Sequence, residues 1–309
     1  VIEAVEIARE AKVPVKTVWT REDDIKGGYY RPMYVHRVNA GLDAAGKIVA
    51  WDHTVVGQSI IAGTAFEPMM VKNGIDATSV EGVTDTPYDI PNMQASLHTT
   101  NTGVPVLWWR SVGHTHTAFV METMMDDLAK VAGKDPVAFR QEHLGKQPRV
   151  ANVLALAAEK AGWGKPVPKG VARGVAVHES FGTVCAQVVE LSLDKGNIKV
   201  KRVVAAIDCG TAVNPLTISA QVESAIAFGM SAALYSQITL KDGVVEQNNF
   251  HDYQVLRIAD MPKIEVHVVP SSAAPSGVGE PGTPPIAPAI SNALLALTGK
   301  RLRELPFKV

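Results

Sequence analysis

Two hydrophobic periods share the chain. Residues 1–11 (VIEAVEIAREA) space their apolar side chains as one face of a helix. Residues 14–20 (PVKTVWT) alternate apolar and polar positions, which predicts a half-buried strand. The same alternation returns over 34–41 and 48–56, and Asp43-Ala-Ala-Gly-Lys47 between them predicts a hairpin turn. Residues 57–105 follow neither period. They are rich in Gly, Thr, Asn and Pro and read as one long irregular segment, a kind that tends to be functional or to wrap a ligand.

From Thr117 the helical period takes over. Phe119, Met121, Met124, Met125, Leu128 and Val131 fall on one face, with Gly133 as the stop. The methionines of this stripe read as core. Asp135 before Pro136 predicts a capped helix start, and a further helix is predicted over 150–161. Residues 162–170 (GWGKPVPKG) read as a linker. Strands follow near 174–177, 185–193 and 198–207, with a turn at Asp194-Lys-Gly196. An apolar helix is predicted over 216–235, a turn at Lys241-Asp-Gly243, a strand over 264–269 and a helix over 286–297 closed by Gly299. The expected fold class is mixed α+β in two lobes, 1–165 and 166–309.

Composition narrows the function classes. With 309 residues, 46% of them hydrophobic and 20% charged, the chain can bury a sizeable core. A net charge of −1, from scattered Lys and Arg, gives no electrostatic case for nucleic acid or an anionic membrane surface. No run of eighteen apolar residues is present to span a bilayer. The two cysteines, Cys185 and Cys209, form no CxxC pair and cannot alone hold an iron–sulfur cluster; they read as small buried hydrophobes. A chain that opens inside a helix without Met looks like a fragment or a processed piece. Any localisation signal then lies upstream of Val1, which leaves cytoplasm and periplasm both open.

Three segments carry candidate chemistry. In Ser276-Gly-Val-Gly-Glu-Pro-Gly-Thr-Pro-Pro285, glycines allow close backbone approach and prolines stiffen the loop around Glu280, just before a helix whose free N–H groups favour an anion. In Val106-Leu-Trp-Trp-Arg-Ser-Val-Gly-His-Thr-His-Thr117, Arg110 follows four bulky apolar residues and needs a partner, either structurally (Glu122 or Asp126) or as a substrate-orienting guanidinium. His114 and His116 flank Thr115 on what reads as a loop; without a third ligand nearby they read as polar lining rather than a metal site. In Ala206-Ile-Asp-Cys-Gly-Thr-Ala-Val-Asn-Pro-Leu-Thr217, a strand turns into a helix capped by Asn214, with Gln221 and Glu223 on that helix. His178, Phe181 and His251-Asp-Tyr253 are polar islands that line a pocket or close hydrogen-bonded turns. No phosphate loop, HExxH, GxSxG or Rossmann fingerprint is present.

In this order, Arg110-Ser-Val-Gly-His-Thr-His, Asp208-Cys-Gly-Thr-Ala-Val-Asn-Pro, Gln221-Val-Glu223 and Gly277-Val-Gly-Glu-Pro281 resemble the molybdopterin domain of the xanthine dehydrogenase and aldehyde oxidoreductase family. The nearest branch is the large, beta chain of isoquinoline 1-oxidoreductase-type enzymes. Residues 15–24, Asn249-Phe-His-Asp-Tyr253 and the ending 298–306 fit the same branch, so the resemblance covers nearly the whole chain. It implies a two-lobed molybdopterin-binding domain, incomplete at its amino terminus. It implies Glu280 as the base that takes a proton from the attacking oxygen, and Arg110 as a residue that holds substrate or stabilises charge. Ser111, Val112, Gly113, His116, Gly277, Val278 and Gly279 are the implied cofactor-binding positions, with no protein side chain as metal ligand. The implied cofactor is molybdopterin cytosine dinucleotide with molybdenum, and electrons leave through iron–sulfur clusters on a small partner subunit. The substrate is an N-heteroaromatic or an aldehyde.

The chain departs from the family pattern in places. Ser111 stands where Gly commonly follows the Arg, Thr115-His116 stands where the xanthine dehydrogenase pattern has Pro-Gln, and Ser224 replaces the usual Gly. The family's GGxFGxR-type and GxxEMGQG-type loops are absent from these residues, which implies a further partner, an amino-terminal half of the large subunit. Two other readings compete: a cofactor-free fragment or assembly piece without activity alone, and an unrelated acid–base hydrolase using Glu280 and a histidine.

Overall fold

A computed structural model describes all 309 residues. It begins with α1 (Ile2–Ala11) and α2 (Arg21–Lys26), then β1 (Tyr34–Leu42) and β2 (Ile48–Gln58). A short α3 (Glu67–Met70), β3 (Val71–Lys72) and β4 (Ile75–Asp76) precede β5 (Met93–Thr100). Three helices follow, α4 (His114–Val131), α5 (Pro136–His143) and α6 (Pro148–Ala161). Next come β6 (Val171–Ser180), β7 (Thr183–Asp194), β8 (Asn197–Asp208) and α7 (Pro215–Leu234). The chain ends with β9 (Leu240–Lys241), β10 (Val244–Val245), β11 (Lys263–Val268) and α8 (Ile286–Thr298). The mixed α+β class holds.

The main sheet has the order β11-β8-β7-β6. β6, β7 and β8 form an antiparallel meander, and β11 adds in parallel to β8. Strand parity sorts the side chains onto two covered faces. Val175, Val177, Val184, Ala186, Val188, Val204 and Ala206 pack with Met121 and Met125 of α4 and Val153 and Leu154 of α6. Their odd–even counterparts Ala176, Val189, Leu191, Val203, Ala205 and Ile207 pack with Ile218, Val222 and Ile226 of α7 and Ala289, Ile290 and Ala293 of α8. Helices on both faces explain why β7 is buried almost continuously rather than alternately. Cys185 and Cys209 are buried free thiols in this arrangement.

Three local expectations are corrected. Residues 14–20 are extended coil, not a strand: no strand lies alongside, and Trp19 Nε1 donates instead to Glu3 Oε2 at 2.8 Å. Thr20 then caps α2 in a capping box with Asp23. The segment 57–105 is not wholly irregular, because Met93, Ala95 and Leu97 alternate with Gln94, Ser96 and His98 in β5, which pairs in parallel with β2. The helix expected from Thr117 begins at His114, so both flanking histidines stand on its first turn.

The partners suggested for Arg110 belong to another arginine. Arg140 is fully buried and donates from Nε to Glu122 Oε2 at 2.9 Å and from Nη1 to Asp126 Oδ1 at 2.6 Å. Tyr88 Oη donates to Glu122 Oε1 at 2.6 Å, and the Val177 N–H donates to Oε2 at 2.9 Å. Asn292 joins α8 to the same place through the carbonyls of Glu122 and Val175. One charge network thus ties α4, α5, β6 and α8 together.

A second buried network fastens the β1–β2 hairpin to α4. Trp51 Nε1 meets His53 Nδ1 at 3.3 Å, His53 Nε2 meets His36 Nδ1 at 2.8 Å, and His36 Nε2 meets His116 Nδ1 at 3.0 Å. An indole N–H can only donate, so it assigns the tautomers in sequence. His53 and His36 each carry the proton on Nε2, and so does His116. The His116 ring also stacks on Tyr34, with centroids 3.7 Å apart. Burial pushes His36 down to about 3 and His53 down to about 4, and it holds His116 well below the ordinary histidine range.

The two networks yield separate predictions. Arg140→Ala leaves two carboxylates buried without their counter-charge, and the expected loss is about 3–5 kcal/mol by chemical denaturation; a loss under about 1 kcal/mol would contradict the network's role. The buried imidazoles, together with His114 (down to about 4) and His178, bind no proton in the fold at pH 5, whereas an unfolded histidine does below about pH 6.5. Their contribution is therefore full above about pH 6.5 and is lost toward pH 4, at about 1.4 kcal/mol per pH unit for each group. Glu81, pushed by burial up to about 7, opposes a single histidine over the upper part of that window. The urea midpoint should fall between pH 7 and pH 5, and an unchanged or rising midpoint would show that the histidines are not buried as neutral rings.

Candidate functional site

The Glu280 loop lies across the end of the main sheet where β7 begins and β8 stops. Ser276 N–H donates to the Cys209 carbonyl at 2.9 Å, and the Ser276 and Thr183 hydroxyls are 2.6 Å apart. Gln187, on β7, donates to the Gly282 carbonyl at 2.7 Å. Gly282 sits against α7, where a Cβ would stand 2.9 Å from the Ala225 methyl and 3.4 Å from the Val222 backbone, so only glycine lets the loop press this closely. Pro281 through Ile286 are buried, while Glu280 is half-buried and Gly279 exposed. The rigid part of the loop thus lies directly behind an accessible carboxylate.

From the other part of the chain, Arg110 holds the backbone just before that carboxylate and Ser111 holds the carboxylate itself. Arg110 Nε donates to the Gly279 carbonyl at 2.7 Å, and Nη2 donates to the same oxygen. Nη1 reaches Ser224 Oγ at 3.1 Å and Nη2 reaches Gln221 Oε1 at 3.1 Å, both on α7. Burial pulls the Arg110 guanidinium down from its ordinary value, and the nearby Glu280 carboxylate acts against this. Ser111 N–H donates to Glu280 Oε1 at 3.1 Å, and its hydroxyl donates to the Glu280 carbonyl at 2.8 Å. Glu280 Oε2 meets no protein donor. A carboxylate with one oxygen fixed and the other free is arranged to receive a proton at the free oxygen.

The turn that makes these contacts is strained. Ser111 and Val112 have φ of 75° and 50°, unusual for any residue with a Cβ and more so for a β-branched one. Gly113 ends the turn, since a Cβ there would lie 1.8 Å from the Thr78 carbonyl oxygen. Its N–H donates to Glu81 Oε1 at 2.8 Å.

The other predicted positions fall around this centre. Val278 packs on the apolar layer beneath α7 and α8, and Gly277 lies 3.9 Å from Phe181 measured from the Cβ it would carry. His114 and His116 point apart, as residues two positions apart on a helix must. His114 Nδ1 is 2.9 Å from His178 Nε2, and its Nε2 lies 3.7 Å from Glu81 Oε2. Because Glu81 is raised to about 7 and His114 lowered to about 4, that contact joins two neutral groups between those values. His116 belongs to the imidazole chain and makes no hydrogen bond to Glu280. No group of three or more His, Cys, Asp or Glu side chains is placed to hold a metal ion. His251, Asp252 and Tyr253 close a turn, and neighbouring Asn249 donates to Glu22 on α2 at 2.6 Å. Glu81 has no signal in the sequence, since it lies outside any motif.

Comparison with known proteins places this arrangement. Residues 2–144 and 123–262 each match a family described as molybdopterin cofactor-binding domain. The beta chain of isoquinoline 1-oxidoreductase from Brevundimonas diminuta is 33% identical over 99% of this chain and 40% of its own length. A nicotinate dehydrogenase subunit from Pseudomonas putida is 29% identical over 99% of this chain and 28% of its own length. The chain therefore spans less than half the length of these relatives. Among solved structures, quinoline 2-oxidoreductase from Pseudomonas putida 86 superposes with a TM-score of 0.82 at 12% identity, over 97% of this chain and 64% of that one. Aldehyde oxidoreductase from Desulfovibrio gigas gives 0.75 at 13% identity, over 93% and 49%. With both halves matched in sequence and the fold shared throughout, the chain belongs to the molybdopterin-binding domains of the xanthine dehydrogenase and aldehyde oxidoreductase family.

Proposed function

We propose that this chain supplies the proton-accepting carboxylate of a molybdenum hydroxylase that oxidises an N-heteroaromatic or an aldehyde with oxygen from water. The observation that carries this reading is the clamp on Gly279 and Glu280 by Arg110 and Ser111. The surroundings fit the cofactor. A Cβ on Gly279 would meet nothing within 4 Å, so open space borders the backbone beside the carboxylate.

When bound, the molybdenum–pterin group supplies the two-electron oxidation and activates the oxygen that enters the product. The residues of this chain do the rest. Glu280 Oε2 takes the proton, while Ser111 N–H keeps Oε1 in place. Arg110 holds the Gly279 carbonyl, so its part is to position the base rather than to reach the substrate. Ser111, Val112 and Gly277–Gly279 would line the cofactor's approach. We assign the cofactor as the cytosine dinucleotide form. We assign electron transfer to iron–sulfur clusters of a small partner subunit, and completion of the site to an amino-terminal part of the large subunit.

Two substitutions test this in the assembled protein. Glu280→Gln keeps the Ser111 contact but cannot accept a proton, and turnover should fall by roughly 10²–10⁴-fold with molybdenum content unchanged; near-normal turnover would sink the assignment. Arg110→Met frees the loop, so kcat should fall by about tenfold or more with a smaller change in KM. A rise in KM alone would instead place the guanidinium on the substrate.

A further inference from the structure

The Ser111–Val112 turn borders a cavity that the Glu280 chemistry does not use. Arg31, Tyr34, Trp109, Val112 and His116 line it. Arg31 lies 4.8 Å over the Trp109 ring and donates one hydrogen bond, from Nη2 to Thr115 Oγ1 at 3.2 Å. The Thr115 hydroxyl donates its own proton to the Val112 carbonyl at 2.9 Å, linking the cavity wall to the strained turn. No Asp or Glu pairs with Arg31, and its neighbour Tyr34, pushed by burial up to about 12, is a neutral phenol. A guanidinium so enclosed without a counter-charge is costly unless an anion joins it.

His116 offers a second donor. It is 8% exposed, and its Nε2 has no protein partner. The chain of tautomers that starts at Trp51 leaves that nitrogen carrying a hydrogen. Two donors, one of them cationic, thus border one cavity: Arg31 has a single N–H on Thr115, and His116 Nε2 has no acceptor of the protein at all. The enclosed part is about 10 Å³, room for about one oxygen-sized atom. A singly charged planar group can insert one oxygen there and leave the rest at the mouth, and one arginine balances its single charge, which it would not do for a dianion.

We propose that this cavity binds a single carboxylate, whose oxygens accept from the Arg31 guanidinium and the His116 Nε2–H. The carboxylate is either a free small acid or part of a larger aromatic ligand. The site does not depend on the role of Glu280, and binding can be read without turnover.

Tryptophan fluorescence of the assembled protein, titrated with formate, benzoate and uncharged benzamide, tests it. Saturable changes with formate or benzoate, none with benzamide, and loss of the signal in Trp109→Phe are expected. Arg31→Met should weaken binding by roughly 10- to 100-fold, as loss of a charge-assisted hydrogen bond does. Arg31→Lys should retain saturable binding. If Arg31→Met does not fold, His116→Phe keeps a ring against Tyr34, removes the N–H, and should weaken binding by about tenfold. Saturation by formate alone identifies a free small acid, and tighter competing binding of benzoate identifies the carboxylate of a larger ligand. No saturable change with either acid, or equal affinity in both Arg31 variants and the parent, overturns the proposal.

Discussion

The carbonyl of Gly279 is where the site is decided. It accepts from two nitrogens of Arg110, whose remaining donor reaches Ser224 while Nη2 also meets Gln221. A planar fork that grips a loop carbonyl and a helix at once leaves the loop little freedom. Glu280 follows directly, and Ser111, the next residue after the arginine, holds its Oε1 and its carbonyl. Two adjacent residues from before the main sheet therefore fix two adjacent residues from after it. The positive φ values of Ser111 and Val112 are the local cost of making both contacts from consecutive positions.

That clamp depends on a firm base. The loop is pressed onto α7 through Gly282 and tied to β7 by Gln187. α7 and α8 cover one face of the sheet while α4 and α6 cover the other, and the Arg140 network binds the layers. The imidazole chain seats the β1–β2 hairpin on the first turn of α4, just past the strained turn. Stability and site geometry thus share α4: its first turn carries the histidines and its middle carries Glu122 and Asp126.

Much of this is legible in the sequence, for identifiable reasons. The meander, α7 and α8 show clear periods with Gly or Asn at their ends, and the Gly-Val-Gly-Glu-Pro loop announces a held acid. The strand over 93–100 is present as an alternation but submerged in a Gly- and Pro-rich stretch. The failures involve tertiary partners. Residues 14–20 have the strand pattern but no neighbour to pair with. Closeness along the chain points Arg110 at Glu122 and Asp126, whereas the fold delivers those acids to Arg140, and Gln221, Ser224 and Gly279 to Arg110. Glu81 and Arg31 matter only through what surrounds them, which no local pattern encodes.

The most direct test of the central claim is the molybdenum content of this protein purified from its native source, read together with the polypeptides that accompany it. About one molybdenum per chain is expected, with iron-containing and amino-terminal partners co-purifying. A folded, active preparation with no molybdenum would contradict the claim.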